Sequence, residues 1–138
     1  MNTIFQNHSL LMSIDPTQRL MITVWTTKPT LQDEEYKELM YSFLNAILQY
    51  RPERILIDSR KAEYVIRPDM QDWINANIYP PAAEAGVRKA AFLLGEDLFM
   101  QLSLEQVVED SMQNEKVRQI IQQNFFHNYD EAIQWLQA

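Results

Sequence analysis

The sequence of 138 residues predicts one α/β domain built on a mixed, mostly parallel sheet of about five strands with about four helices. Three observations carry this. Two short apolar runs, Ile55-Leu56-Ile57 and Ala90-Ala91-Phe92-Leu93-Leu94, stop at Asp58 and Gly95, as central strands covered on both faces do. Stretches with apolar residues at helical spacing lie before, between and after these runs. The length suits one ordinary core and is short for two, so residues 1–138 read as a single domain.

In chain order, Thr3 to Met12 holds enough β-formers for a first strand, and Ile14-Asp15-Pro16-Thr17 has turn chemistry. Leu20 to Trp25 follows as a second strand that pairs with the first in an antiparallel hairpin. Alternation puts Leu20, Ile22 and Val24 on one face and Met21, Thr23 and Trp25 on the other. Thr30 is placed to cap the next helix, with Asp33 at the capping-box position and an apolar stripe from Tyr36 through Phe43 to Leu48. Pro52 closes that segment.

After the Ile55 strand, Pro68 suits the first position of a helix whose apolar face is Met70, Trp73, Ile74 and Ile78. Pro80-Pro81 interrupts it, and Gly86 ends the crossover. Beyond Gly95, Ser103-Leu104-Glu105-Gln106 has the form of a capping box leading into Val107, Val108 and Met112. Val117 to Ile121 suits helix or strand equally, and topology favours a last strand near Ile120 to Phe126. Asn128, with Glu131 three residues on, caps a final helix that buries Ala132, Ile133, Trp135 and Leu136.

Composition narrows the partners. Nineteen acidic against twelve basic residues give a charge of −7, and no basic run exceeds Arg60-Lys61 or Arg88-Lys89. Nucleic acid and anionic membranes, which require a positive footprint, are therefore poor partners. The chain has no Cys, which rules out a disulfide, a thiolate zinc site and a thiol nucleophile and fits a reducing compartment. The N-terminal residues lack a basic start and an apolar core like those of a signal peptide. No apolar run approaches the ~20 residues of a transmembrane segment. Cytoplasmic residence is the expectation.

Several residues together suggest relatives: Trp25 ending a strand, Leu56-Ile57-Asp58-Ser59-Arg60, Trp73, Tyr79-Pro80-Pro81-Ala82, Ala85-Gly86-Val87-Arg88-Lys89, and Phe126 before Glu131-Ala132-Ile133-Gln134-Trp135-Leu136. In order and spacing they resemble the bacterial STAS-like proteins, whose fold is that of anti-sigma-factor antagonists, a group also likened to CRAL-TRIO lipid-transfer domains. The resemblance covers nearly the whole chain. It implies a non-enzymatic regulatory or protein-interaction module. Phosphorylation-regulated antagonists carry a Ser in an Asp-Ser-Ser-Gly run where this chain has Arg67-Pro68-Asp69-Met70, so the phosphoacceptor is missing. Ser59 lies nearby, outside the motif position.

Two sets of candidate residues follow. Ligands of open α/β sheets bind outside the carboxyl ends of the strands, which groups Asp58, Ser59, Arg60, Glu96 and Asp97. As an active site this would make Asp58 a base or metal ligand, paired with Glu96 or Asp97. As structure, Asp58 pairs with Arg60 or caps loop amides, and the other acids start a helix. As a docking surface, which the STAS-like resemblance implies, the loop after Asp58 and the helix beginning at Pro68 meet a protein partner, with Asp69 a fixed negative charge at that helix N-terminus.

The second set is Trp25, Tyr64, Trp73 and Tyr79 with Met70 and Met100, which either line a pocket for a small apolar or amphipathic molecule or simply fill the core. His8, on the first strand, and His127 lack a ligand-spaced partner, and two glycines cannot build a phosphate loop. No catalytic residue, metal or cofactor is expected. The open edge of the first strand leaves both a homodimer and a blocked edge in play.

Overall fold

A computed structural model describes residues 1–138 as one α/β domain with a six-stranded mixed sheet and six helices. The chain opens with three strands, β1 (Asn2–Gln6), β2 (Leu10–Asp15) and β3 (Leu20–Trp25). Then come α1 (Asp33–Tyr50), β4 (Arg54–Asp58), α2 (Pro68–Asn77), α3 (Tyr79–Ala85) and β5 (Lys89–Leu93). The chain closes with α4 (Leu98–Ser111), α5 (Glu115–Ile120), β6 (Gln122–Phe126) and α6 (Tyr129–Gln137). No helix is long and apolar enough to cross a membrane.

The strands lie side by side in chain order, β1 to β6. β1–β2 and β2–β3 are antiparallel, and the three later pairings are parallel. Because successive parallel strands always step in the same direction, right-handed crossovers put all their helices on one face. Residues of α1 to α5 accordingly share one core with Met12, Met21, Ile55 and Phe92. α6 packs on the opposite face, where Ala132 and Leu136 are buried against Leu56, Ala91 and Leu93. The sheet never reverses its winding, so it has no switch-point crevice of the kind that gathers ligands in doubly wound folds.

Four local expectations are corrected. The stretch Thr3 to Met12 is two strands, since Asn7 Oδ1 accepts from the backbone N–H groups of Ser9 and Leu10 and turns the chain there. His8 sits in that turn, exposed. The first long helix is capped at Gln32 rather than Thr30, with the Gln32 N–H donating to the Glu35 carboxylate. The helix foreseen at Ser103 starts at Leu98, where Asp97 accepts from the N–H groups of Phe99 and Met100. Ser103 is buried inside it, its hydroxyl returned to the Met100 carbonyl.

The interruption at Pro80-Pro81 divides one helix into α2 and α3. Neither proline has an N–H to give to the carbonyls of Ala76 and Asn77, so the α2 ladder ends and a new helix starts at Tyr79. Gly86 closes α3 with φ of 114°, a conformation that side chains rarely take. At the far end of the chain, Asn114 caps α5 and Asn128 caps α6, each through its side-chain oxygen.

Candidate functional site

The face of the sheet under α1 to α4 carries residues of alternating size. Trp25, Ile55, Ile57 and Phe92 are large, and Ala90 is small. Facing them, Ala82 of α3 is also small. The helices do not close fully over this relief, and a cavity of about 90 Å³ remains between the two layers. That is room for about three waters at their liquid volume. Of its 24 lining residues 21 are hydrophobic, and its polar side-chain groups are those of Thr27, Ser59 and Gln123, the phenol tips of three tyrosines and the Trp25 indole N–H.

One end is internally satisfied. Tyr79 donates to Gln123 Oε1 at 2.7 Å, Gln123 Nε2 donates to Ser111 Oγ at 2.9 Å, and the Ser111 hydroxyl donates to the Val108 carbonyl. Trp25 is also fixed: its indole N–H donates to Thr23 Oγ1, which in turn donates to the Leu56 carbonyl, both at 2.9 Å. Such buried chains hold their members in single orientations.

The other end is different. Tyr36 and Ser59 are 6% and 5% exposed and both line the cavity; neither hydroxyl makes a hydrogen bond within the chain, and both oxygens reach space that a water-sized group can enter. Burial pushes the Tyr36 phenol well above the ordinary range of a tyrosine, so it stays a protonated donor. Burial raises the Tyr79 and Tyr64 phenols as well, and Tyr64 is raised further by its bond to Asp33.

The wall at this end is the loop from Ser59 to Arg67. Tyr64 donates to Asp33 Oδ1 at 2.6 Å, and Arg67 donates to the other oxygen of the same carboxylate. The Arg67 bond, then the Tyr64 bond, holds the Asp33 carboxyl below the ordinary carboxylate range. The Glu63 N–H donates to the Thr27 carbonyl at 2.8 Å, so the loop is tied to the end of β3 and to the start of α1.

The residues singled out from sequence divide accordingly. Trp25, Tyr64, Tyr79 and Met100 line the cavity. Trp73 lies outside it, edge-on to Tyr41 with centroids 5.3 Å apart and with Lys37 over its ring, and Met70 is buried outside the lining. The period that put Trp73 on the apolar face of its helix did not register that α1 offers it an outer shelf. Ser59 lines the cavity, whereas its neighbours Asp58 and Arg60 form a bidentate pair at 3.0 and 2.9 Å. Asp58 is thus committed to a guanidinium rather than placed as a free base.

Asp97 is a helix cap, Glu96 is exposed, and no cluster of three or more His, Asp or Glu residues could hold a metal ion. Asp69 stands in solvent at the first turn of α2, 3.9 Å from Arg67. His127 is exposed between β6 and α6. Tyr36 was read from sequence only as a core position of α1. Whether an aromatic fills a core or faces a gap depends on how closely two layers meet, and a single sequence carries no sign of that.

Comparison of the chain with protein-family models, with curated proteins and with solved structures finds no match.

Proposed function

We propose that the chain is a non-enzymatic binding domain that holds a small apolar or amphipathic molecule between its sheet and its helix layer. The observation that supports this most is the cavity: an apolar wall that leaves the Tyr36 and Ser59 hydroxyls unpaired. Both oxygens touch space that a water-sized group can enter, and a ligand with a complementary group gives them a direct hydrogen bond there, worth roughly 0.5–1.5 kcal/mol net. Native mass spectrometry of gently purified protein tests the reading. A bound small molecule supports it, and a clean apo mass with no thermal shift across a panel of apolar metabolites sinks it.

A second reading, a protein-interaction module, draws on the STAS-like resemblance and on one surface feature. Leu98, Phe99 and Leu102 are 61%, 73% and 45% exposed on the first turns of α4. They form an apolar step at the end of the sheet where Arg60 and Asp69 also lie, the loop at Gly95 pressing on the Arg60 backbone. In this reading the step and those charges meet a partner protein. A partner that copurifies with the chain, and equally well with the Leu98→Ser/Phe99→Ser and Asp69→Ala variants, argues against that surface.

A further inference from the structure

We infer that the cavity selects a small neutral aromatic compound bearing one hydrogen-bond acceptor, and that the Tyr36 hydroxyl is the donor that holds it. This rests on the ligand-binding reading above and names the class of occupant.

Three features of the wall point to that class. The lining contains no Asp, Glu, Lys, Arg or His. An ionised ligand would therefore lose its hydration with no opposite charge to meet, which is the costliest form of burial. The cavity is also flanked by aromatic rings. Trp25 meets Phe43 edge-on at 5.6 Å, Tyr36 stacks on Tyr64 at 4.2 Å, and Phe92 stacks on Phe125 at 5.2 Å. Flat rings suit a flat occupant, which adds edge or offset contacts to them.

The third feature is unpaired polarity at one end alone. Tyr79 and Gln123 have each other, whereas the Tyr36 phenol has no acceptor in the chain and stays protonated because burial disfavours its anion. A donor without an acceptor asks for a carbonyl or ether oxygen on the ligand. The cavity is smaller than the roughly 150 Å³ that takes up benzene in an engineered core, so it holds no more than one ring, and because it is partly open a short substituent must reach past it.

Isothermal titration of the full chain with acetophenone, ethylbenzene and benzoate tests this, because the three are close in size and differ in acceptor and charge. Wild-type chain is expected to bind acetophenone at least about tenfold more tightly than benzoate. Tyr36→Phe keeps the ring stack and removes only the hydroxyl. It should weaken acetophenone about two- to tenfold and change ethylbenzene by less than about twofold.

Ethylbenzene binding with acetophenone indifferent to Tyr36→Phe overturns the donor assignment and leaves the ligand-binding reading standing. Failure of all three probes to bind at millimolar concentration overturns both. Should Tyr36→Phe lose its cooperative unfolding transition, the wild-type comparison still decides: benzoate bound as well as acetophenone refutes a neutral ligand.

Discussion

Tyr64 lies flat on Tyr36, their ring centroids 4.2 Å apart and their planes 18° from parallel. The stack joins a loop residue to the first turn of α1, and it forms the part of the cavity wall least supported by regular structure. Its position is set from outside the cavity, by the Asp33 carboxylate that receives both the Tyr64 phenol and the Arg67 guanidinium.

That arrangement predicts a pH signature. The carboxyl of folded Asp33 titrates below its ordinary value, so its contribution to stability is present above the unfolded pKa and lost as pH falls through the folded one. Asn at position 33 removes that contribution. Thermal unfolding midpoints of wild type and Asp33→Asn, followed from about pH 7 to about pH 2, should differ above about pH 4 and converge below it. A gap that does not change with pH would contradict the role given to the carboxylate.

A close backbone approach gives a second expectation. A Cβ on Gly95 would stand 2.6 Å from the Arg60 carbonyl oxygen, and that oxygen belongs to the backbone and cannot rotate away. Gly95→Ala should therefore destabilise the fold by about 1–3 kcal/mol through strain between the two loops. Urea unfolding measures it, and a loss below about 0.5 kcal/mol would mean that the loops separate freely.

The cavity itself can be filled. Ala82 lines it from α3, and Leu at that position adds three carbons to its wall. Ala82→Leu should abolish small-molecule binding while leaving stability within about 1–3 kcal/mol of wild type. Trp73→Ala is the matched control, because Trp73 stands outside between Tyr41 and Lys37 and its loss should leave affinity unchanged. Equal loss of binding in both variants would place the ligand elsewhere.

Much of the architecture was legible because local chemistry and global position agree. The continuous run at Ile55 and the Ala-rich run at Ala90 are central strands, and Asn128 with Glu131 marks α6. The misreadings have physical causes. The turn at Asn7-His8-Ser9 uses an Asn side chain instead of Gly or Pro, so β1 and β2 looked like one strand. The start of α4 was hidden because Leu98, Phe99 and Leu102 face outward, against the usual apolar periodicity. Trp25, Tyr64 and Tyr79 could be grouped from their types, but the unpaired Tyr36 hydroxyl is a property of how α1 meets the sheet.

The measurement closest to the central claim is methyl NMR of chain labelled at its methionines, titrated with acetophenone. Met40 and Met100 line the cavity from α1 and α4, whereas Met1 is exposed at the N-terminus and Met112 lies outside the lining. Saturable shifts of the Met40 and Met100 methyl signals are expected, with Met1 and Met112 still. Saturation without movement of Met40 and Met100, or no saturable shift of any methyl, would contradict a ligand site between the sheet and its helices.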